Sequence, residues 1–377
     1  VDASLLVIVV VVTALAFDFT NGFHDTANSM ATSIATGALR PRTAVAFSAV
    51  LNLVGALLSV EVAKTISGGI VDDARITPAI VFGGLVGAIL WNLVTWYVGL
   101  PSSSSHALFG GLIGATWIAS GADAVHFAKV VDKVVVPSVA APLVAGIVAL
   151  LATVLTYRLS RRTDEKVRDR GFKTGQIASA ALMSLAHGTN DAQKTMGIIT
   201  LTLITAGTLA PGSEPPLWVI LSAAVAIALG TYLGGWRITH TLGKGLTTIE
   251  APQGFAAQTS AATVIMASSH LGFALSTTHV ASGGIMGSGL GRRLDGVRWG
   301  VAGRMALAWL FTLPAAGLVG ALAGKVASLG TAGVVAVAAV GIAVSLVIWL
   351  MSRREPVRPE HVVDELAAQA EPHKVVL

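Results

Sequence analysis

Asn21-Gly22-Phe23-His24-Asp25-Thr26-Ala27-Asn28-Ser29-Met30 recurs 166 residues downstream as His187-Gly188-Thr189-Asn190-Asp191-Ala192-Gln193-Lys194-Thr195-Met196. A second pair keeps the same order. Ser103-Ser104-Ser105-His106, followed by Gly110-Gly111, returns after 173 residues as Ser276-Thr277-Thr278-His279, followed by Gly283-Gly284. Between them, Lys64-Thr65-Ile66 aligns loosely with His240-Thr241-Leu242. Two matched motifs at nearly one shift mark an internal duplication.

The chain around these motifs has 377 residues, 54% of them hydrophobic and 12% charged, whereas soluble domains carry about 25% charged residues. Its mean hydropathy is +0.75. Too few polar side chains remain to cover a water-soluble surface. Apolar runs such as Leu5–Phe17, Val134–Leu155 and Val334–Leu350 approach or reach the roughly 20 residues that a membrane-spanning helix needs. The expected fold is an all-α polytopic membrane protein. With no cysteine, disulfides and thiolate metal sites are excluded. The net charge of +5 does not indicate nucleic acid, because the bases fall in short loops between spans, the usual orientation bias of membrane proteins.

The most basic stretch, Arg158 to Lys173, is placed in the cytoplasm, together with Arg40/Arg42, Arg292/Arg293/Arg298 and Arg353/Arg354. Asp72-Asp73 and the Pro211–Pro216 loop then fall outside, and so does the N-terminus. The first apolar run is read as a retained span, because no positive lead or small-residue cleavage site flanks it. Crossings are expected at 3–39 and 174–207, both broken, and at 43–63, 77–97, 101–118, 136–157, 216–234, 255–272, 276–290, 299–325 and 332–352. That amounts to about 11–12 membrane segments. Residues 1–157 form a first transmembrane repeat and 158–173 a cytoplasmic basic loop. Residues 174–352 form a second repeat plus an extra helix, and 353–377 a cytoplasmic tail. The halves start on opposite sides, so they are inverted-topology repeats with broken or re-entrant helices, a pattern of secondary transporters with a midplane site. A duplicated channel or scaffold would share the pattern.

Asp25 and Asp191 are carboxylates at membrane depth, a placement that costs at least ~2.5 kcal/mol on insertion scales. Each persists by binding a cation, pairing with a base or meeting water. Neighbours His24, Asn28, Asn190 and Gln193 add no second carboxylate along the chain, which favours a proton or Na+ over a tightly held divalent ion. The plainer reading is a helix cap. Ser103, Ser104 and Ser105, and likewise Ser276, Thr277 and Thr278, precede short helices, where free N–H groups and hydroxyls together suit an oxyanion. Hydroxyl-rich helix contacts would look the same. Lys194, opposite Asn28 in the repeat, could attract the anion or neutralise Asp191. Glu61 aligns with Arg237 as a potential charge pair, with interfacial snorkelling as the rival reading. His106 and His279 match across the halves and could take a coupling proton or serve only as hydrogen-bonders.

These motifs resemble the inorganic phosphate transporter (PiT) family, bacterial low-affinity branch. Gly22-Phe23-His24-Asp25-Thr26-Ala27-Asn28 is similar to its first motif and His187-Gly188-Thr189-Asn190-Asp191-Ala192-Gln193-Lys194 to its second; Pro101–His106 and Ser276–His279 also fit. The resemblance runs from Phe17 to about Trp349. His24 departs from the Asn of the commoner motif, and the long central loop of animal relatives is reduced to Arg158–Lys173. The resemblance implies a symporter, not an enzyme, that imports inorganic phosphate with H+ or Na+ and needs no cofactor. It further implies a homodimer in the bacterial inner membrane. On this reading Asn28, Asn190, Gln193, Lys194 and the two hydroxyl clusters hold phosphate. Asp25, Asp191, His24, Glu61, His106 and His279 serve the cation, with Na+ at Asp25 and Asp191. A sulfate carrier of the same architecture is the alternative, and an anion channel a more distant one.

Overall fold

The computed structural model describes residues 3–357 and 359, apart from 68, 69, 73, 294 and 295. The first half runs α1 (Ala3–Ala35), α2 (Pro41–Ala56), α3 (Glu61–Ser67), α4 (Pro78–Tyr97), α5 (Ser104–Ser120), α6 (Phe127–Val130) and α7 (Val136–Leu159). A π turn over Val131–Val135 joins α6 to α7. The second half repeats this order with α8 (Glu165–Thr205), α9 (Leu217–Leu233), α10 (Trp236–His240), α11 (Ala251–His270), α12 (Thr277–Arg292) and α13 (Trp299–Ala327). An additional helix, α14 (Thr331–Arg354), follows. Two isolated antiparallel bridges, Val71 with Val125 and Thr247 with Val297, recur at matching places in the two halves.

Five helices are long and apolar enough to cross a membrane, and seven if the bent pairs α2–α3 (68°) and α9–α10 (61°) each count as one span. With the more polar α5, α8, α11 and α12, eleven segments are present among the described residues. Leu143, Leu310 and Ile342 are more than half exposed, while Asp18, His24, Asp25, Asp191 and Lys194 are almost wholly buried. Apolar outside and charged inside is the distribution expected of a protein solvated by lipid.

Packing is exchanged between the halves. α1 lies against α9 and α8 against α2; α5 lies against α13 and α12 against α7. Thr36, just past α1, donates to Gln176 in the first part of α8 (2.7 Å), and Ala35 and Thr36 share a surface groove with Glu165 and Arg168. Helix α1 therefore ends where α8 begins, and the two run antiparallel.

Three expectations need correction. The segments 3–39 and 174–207 are unbroken through the motifs, since α1 and α8 run continuously past Asp25 and Asp191. Neither motif contains proline, and a single helical glycine costs only about 1 kcal/mol. The breaks fall instead at 57–60 and 234–235. Asp25 and Asp191 are consequently mid-helix groups and not caps. The stretch 158–173 is mostly helix, not loop. Asp164 accepts from the backbone N–H of Lys166 (2.9 Å) and Val167 (3.4 Å), and Asp169 pairs with Lys173 one turn on (2.9 Å), so α8 begins at Glu165. Of the tail 353–377, nearly all lies outside the described residues.

The motif glycines make the exchange possible. A Cβ on Gly22 would lie 2.4 Å from Ile227 O of α9, and one on Gly188 would lie 2.2 Å from Asn52 O of α2. These are matched positions in the repeat, each letting a long helix touch the backbone of the other half. Gly188→Ala is expected to destabilise by about 1–3 kcal/mol through overpacking, seen as a lower melting temperature of the purified protein in detergent. An unchanged melting temperature would show that the contact relaxes freely.

Candidate functional site

The two motif helices bring their acids together. Asp25, His187 and Asp191 are all buried, and each offers one ligand atom within 4.8 Å of the others. The absence of a second carboxylate near either aspartate therefore holds along the chain but not in space. Thr277, in the first turn of α12, stands between them, with Oγ1 3.0 Å from Asp191 Oδ2 and 3.5 Å from Asp25 Oδ2. One hydroxyl has one proton, so it cannot serve both acids at once. Thr278 Oγ1 lies 3.3 Å from Asp25 Oδ1, and Asn28 donates to Thr278 Oγ1 (3.0 Å).

The remaining neighbours are mostly partners of the carboxylates. His24 Nδ1 contacts Asp25 Oδ1 at 2.6 Å, while its Nε2 is within 3.3 Å of both Thr95 and Ser102 hydroxyls. Ser104 Oγ lies 3.5 Å from His24 Nδ1. His187 Nε2 lies 3.0 Å from Asp191 Oδ2, and its Nδ1 is oriented by Asn52 Oδ1 (3.2 Å). Asn190 donates to Asp191 Oδ1 and to Leu275 O, both at 2.8 Å. Lys194 donates to Asp191 Oδ1, to Ser105 Oγ (2.5 Å) and to Leu275 O (2.9 Å). Ser105 thereby ties the start of α5 to the second motif.

Helices α5 and α12 both start at this centre. Ser103 accepts from His106 N–H (3.1 Å) and Ser276 from His279 N–H (3.3 Å), so both hydroxyls are N-caps as well as candidate ligands. The rings of His106 and His279 meet edge to face, with centroids 4.7 Å apart, and His279 also lies on Trp309 at 4.2 Å. Two helix starts, each carrying about half a positive charge, converge there.

Two expected members lie apart. Gln193 Oε1 accepts from the backbone N–H groups of Val62 (2.7 Å) and Ala63 (3.3 Å), and its Nε2 donates to Thr189 O (2.6 Å). Its amide is spent on capping α3, not on a ligand. Glu61 is half exposed and pairs with Lys64 (2.9 Å), which also reaches Glu214 (2.8 Å). Arg237 instead donates to Tyr97 O (3.1 Å) and Ser352 O (3.3 Å). Glu61 and Arg237 are thus taken up separately, Glu61 by Lys64 on its own helix and Arg237 by carbonyls of α4 and α14. His187 was not anticipated, although its place one turn before Asp191 puts the two on one helix face.

The sequence profile of the Phosphate transporter family matches residues 21–170 and 160–320. A relative from Mycobacterium bovis described as a probable low-affinity inorganic phosphate transporter is 59% identical over 355 residues, covering 93% of this chain and 85% of that protein. One with the same description from Rhizobium meliloti is 44% identical, covering 85% of this chain and 97% of its own. A solved structure described as the sodium-dependent phosphate transporter superposes with a TM-score of 0.78 at 24% identity, covering 86% of this chain and 100% of that one. That likeness shows the fold. On the profile match and the identity to these relatives, the chain is a multi-pass membrane protein that belongs to the Phosphate transporter family, a family of transporters and not of enzymes.

Proposed function

We propose that this protein is a secondary carrier that imports inorganic phosphate together with H+ or Na+. The observation that carries the reading is the meeting of Asp25 and Asp191 from opposite halves at Thr277, where two hydroxyl-capped helices begin. Two ionised carboxylates with oxygens within 4.8 Å of each other repel by at least about 3 kcal/mol at an effective dielectric near 20. A cation bound between them removes that repulsion and creates a place for an anion. Phosphate then docks against the N-termini of α5 and α12, with Ser103, Ser104, Ser105, Ser276, Thr277, Thr278, Asn28 and Asn190 as donors and Lys194 as the charge.

The empty carrier balances Asp191 with Lys194. The loaded one lets Lys194 turn to the anion while the cation takes its place on the acid. A site holding phosphate without its cation, or the reverse, keeps an unbalanced charge and reorients slowly. Glycine-mediated contacts between the halves provide the surfaces on which they rock. Arg168 and Arg292 stack on Tyr157 at one end of the molecule, close to Glu250. By the excess of such bases we orient that end, with the C-terminus, to the cytoplasm of a bacterial cell, the N-terminus outside, and residues 1–157 and 174–352 as the two repeats. Assembly as a homodimer belongs to the same proposal.

Asp25→Asn is expected to abolish gradient-driven phosphate uptake in proteoliposomes while leaving expression and melting temperature close to wild type. Normal coupled uptake by that variant would remove the aspartate from the cation site. Arsenate, which shares phosphate's shape and protonation, is expected to compete with labelled phosphate at similar concentrations, and sulfate only at a large excess. Equal competition by sulfate would reassign the anion.

A further inference from the structure

Asp18 lies on α1 seven residues before Asp25, which is about 10 Å along the helix axis and outside the centre described above. It is completely buried, and neither carboxylate oxygen has a partner at good hydrogen-bond geometry in the protein, Thr195 and Asn21 approaching it only loosely. Asn21, one turn on, and Thr195 of α8 are its polar neighbours. The Thr195 hydroxyl and both polar atoms of Asn21 also lack partners. Asp191 and Lys194 are the charged groups that bear on it. Lys194 cannot pair with Asp18, since its three donors are taken by Asp191, Ser105 and Leu275.

The duplicated scaffold does not require this acid. Its counterpart in the second repeat is Ser184, whose hydroxyl is satisfied by Ala180 O (2.9 Å) and Ser48 Oγ (3.0 Å). A buried carboxylate with only two loosely placed neutral neighbours is stable when a proton or a metal cation joins it. The oxygens of Asp18, Asn21 and Thr195 make an all-oxygen donor set of the kind hard cations take. The balance of the interior points the same way. Counted as ionised, Asp18, Asp25 and Asp191 outnumber the buried Lys194, with His24 beside Asp25 and His187 beside Asp191, so a cation or proton at Asp18 brings the interior nearer to neutrality.

On the symport reading above, we infer that Asp18, Asn21 and Thr195 form a further coupling site, which takes one Na+ or proton for each phosphate carried. The position of Thr195, one residue after Lys194, joins this site to the phosphate centre through a single turn of α8. Occupancy at Asp18 then favours the arrangement in which Lys194 is free to leave Asp191 for the anion.

The test measures steady-state phosphate accumulation in proteoliposomes of the full chain at zero membrane potential, under tenfold Na+ or proton gradients imposed separately. The steady-state ratio depends on the number of coupled cations and not on turnover, so a slow variant still reports it. Removing one coupled cation in Asp18→Asn lowers accumulation about tenfold for whichever gradient drives the site, and the arm that responds identifies the cation. Asp18→Glu is expected to restore the wild-type ratio. An unchanged ratio in Asp18→Asn, with wild type coupled, overturns the inference. Uncoupled wild-type uptake would instead overturn the symport reading itself. Should Asp18→Asn carry no phosphate, cation binding to the purified protein decides: one site fewer than wild type supports the proposal, and an equal number refutes it.

Discussion

Like charge crowded into a water-poor interior is the constraint on which the rest of the structure depends. Asp25 and Asp191 come from different halves, yet their oxygens share a volume less than 5 Å across with His187. Nothing apolar could be packed against such a pair. The surrounding chain answers with His24 on one acid, His187 and Lys194 on the other, and a threonine hydroxyl between them. Every element that touches this centre is placed by that need. The starts of α5 and α12 point at it, and Asn52 of α2 turns His187 toward it.

A site built from partial charges has a functional merit. One lysine and two helix starts attract an anion without holding it as tightly as a ring of arginines would. On the proposed symport reading, a carrier must release what it binds, so moderate attraction that depends on a co-bound cation is preferable to strong attraction that does not. Exposed leucines and isoleucines on α7, α13 and α14 meanwhile give the lipid an apolar face, while the charged groups stay inside.

The duplication made much of this legible from sequence. Matched motifs pointed to Asp25 and Asp191 as one centre and to Ser103 and Ser276 as helix starts, because a repeat places equivalent residues around a common axis. Spacing could not say how the backbone carries them. A polar, glycine-bearing motif in an apolar run read as a break, whereas α1 and α8 stay helical and the motif acids find partners sideways, Asp25 in His24 and Asp191 in Lys194. Glu61 and Gln193 were misplaced for a related reason. Their partners, Lys64 and the backbone of α3, are set by the bend between α2 and α3, which the hydrophobic pattern hides. Asp18 carries no such mark in the sequence, because it is an exception to the symmetry, with Ser184 in its place in the second repeat.

The exchange of partners between halves, α5 with α13 and α12 with α7, also bears on biosynthesis. During translation the first half emerges with α5 lacking the helix it was shaped to meet, and that helix is not complete until Ala327 has left the ribosome. Helix α4 can already cover one side of α5, but Ser105 and His106 must wait for Lys194 of α8 and His279 of α12. The centre is consequently complete only once helices from both halves have been made.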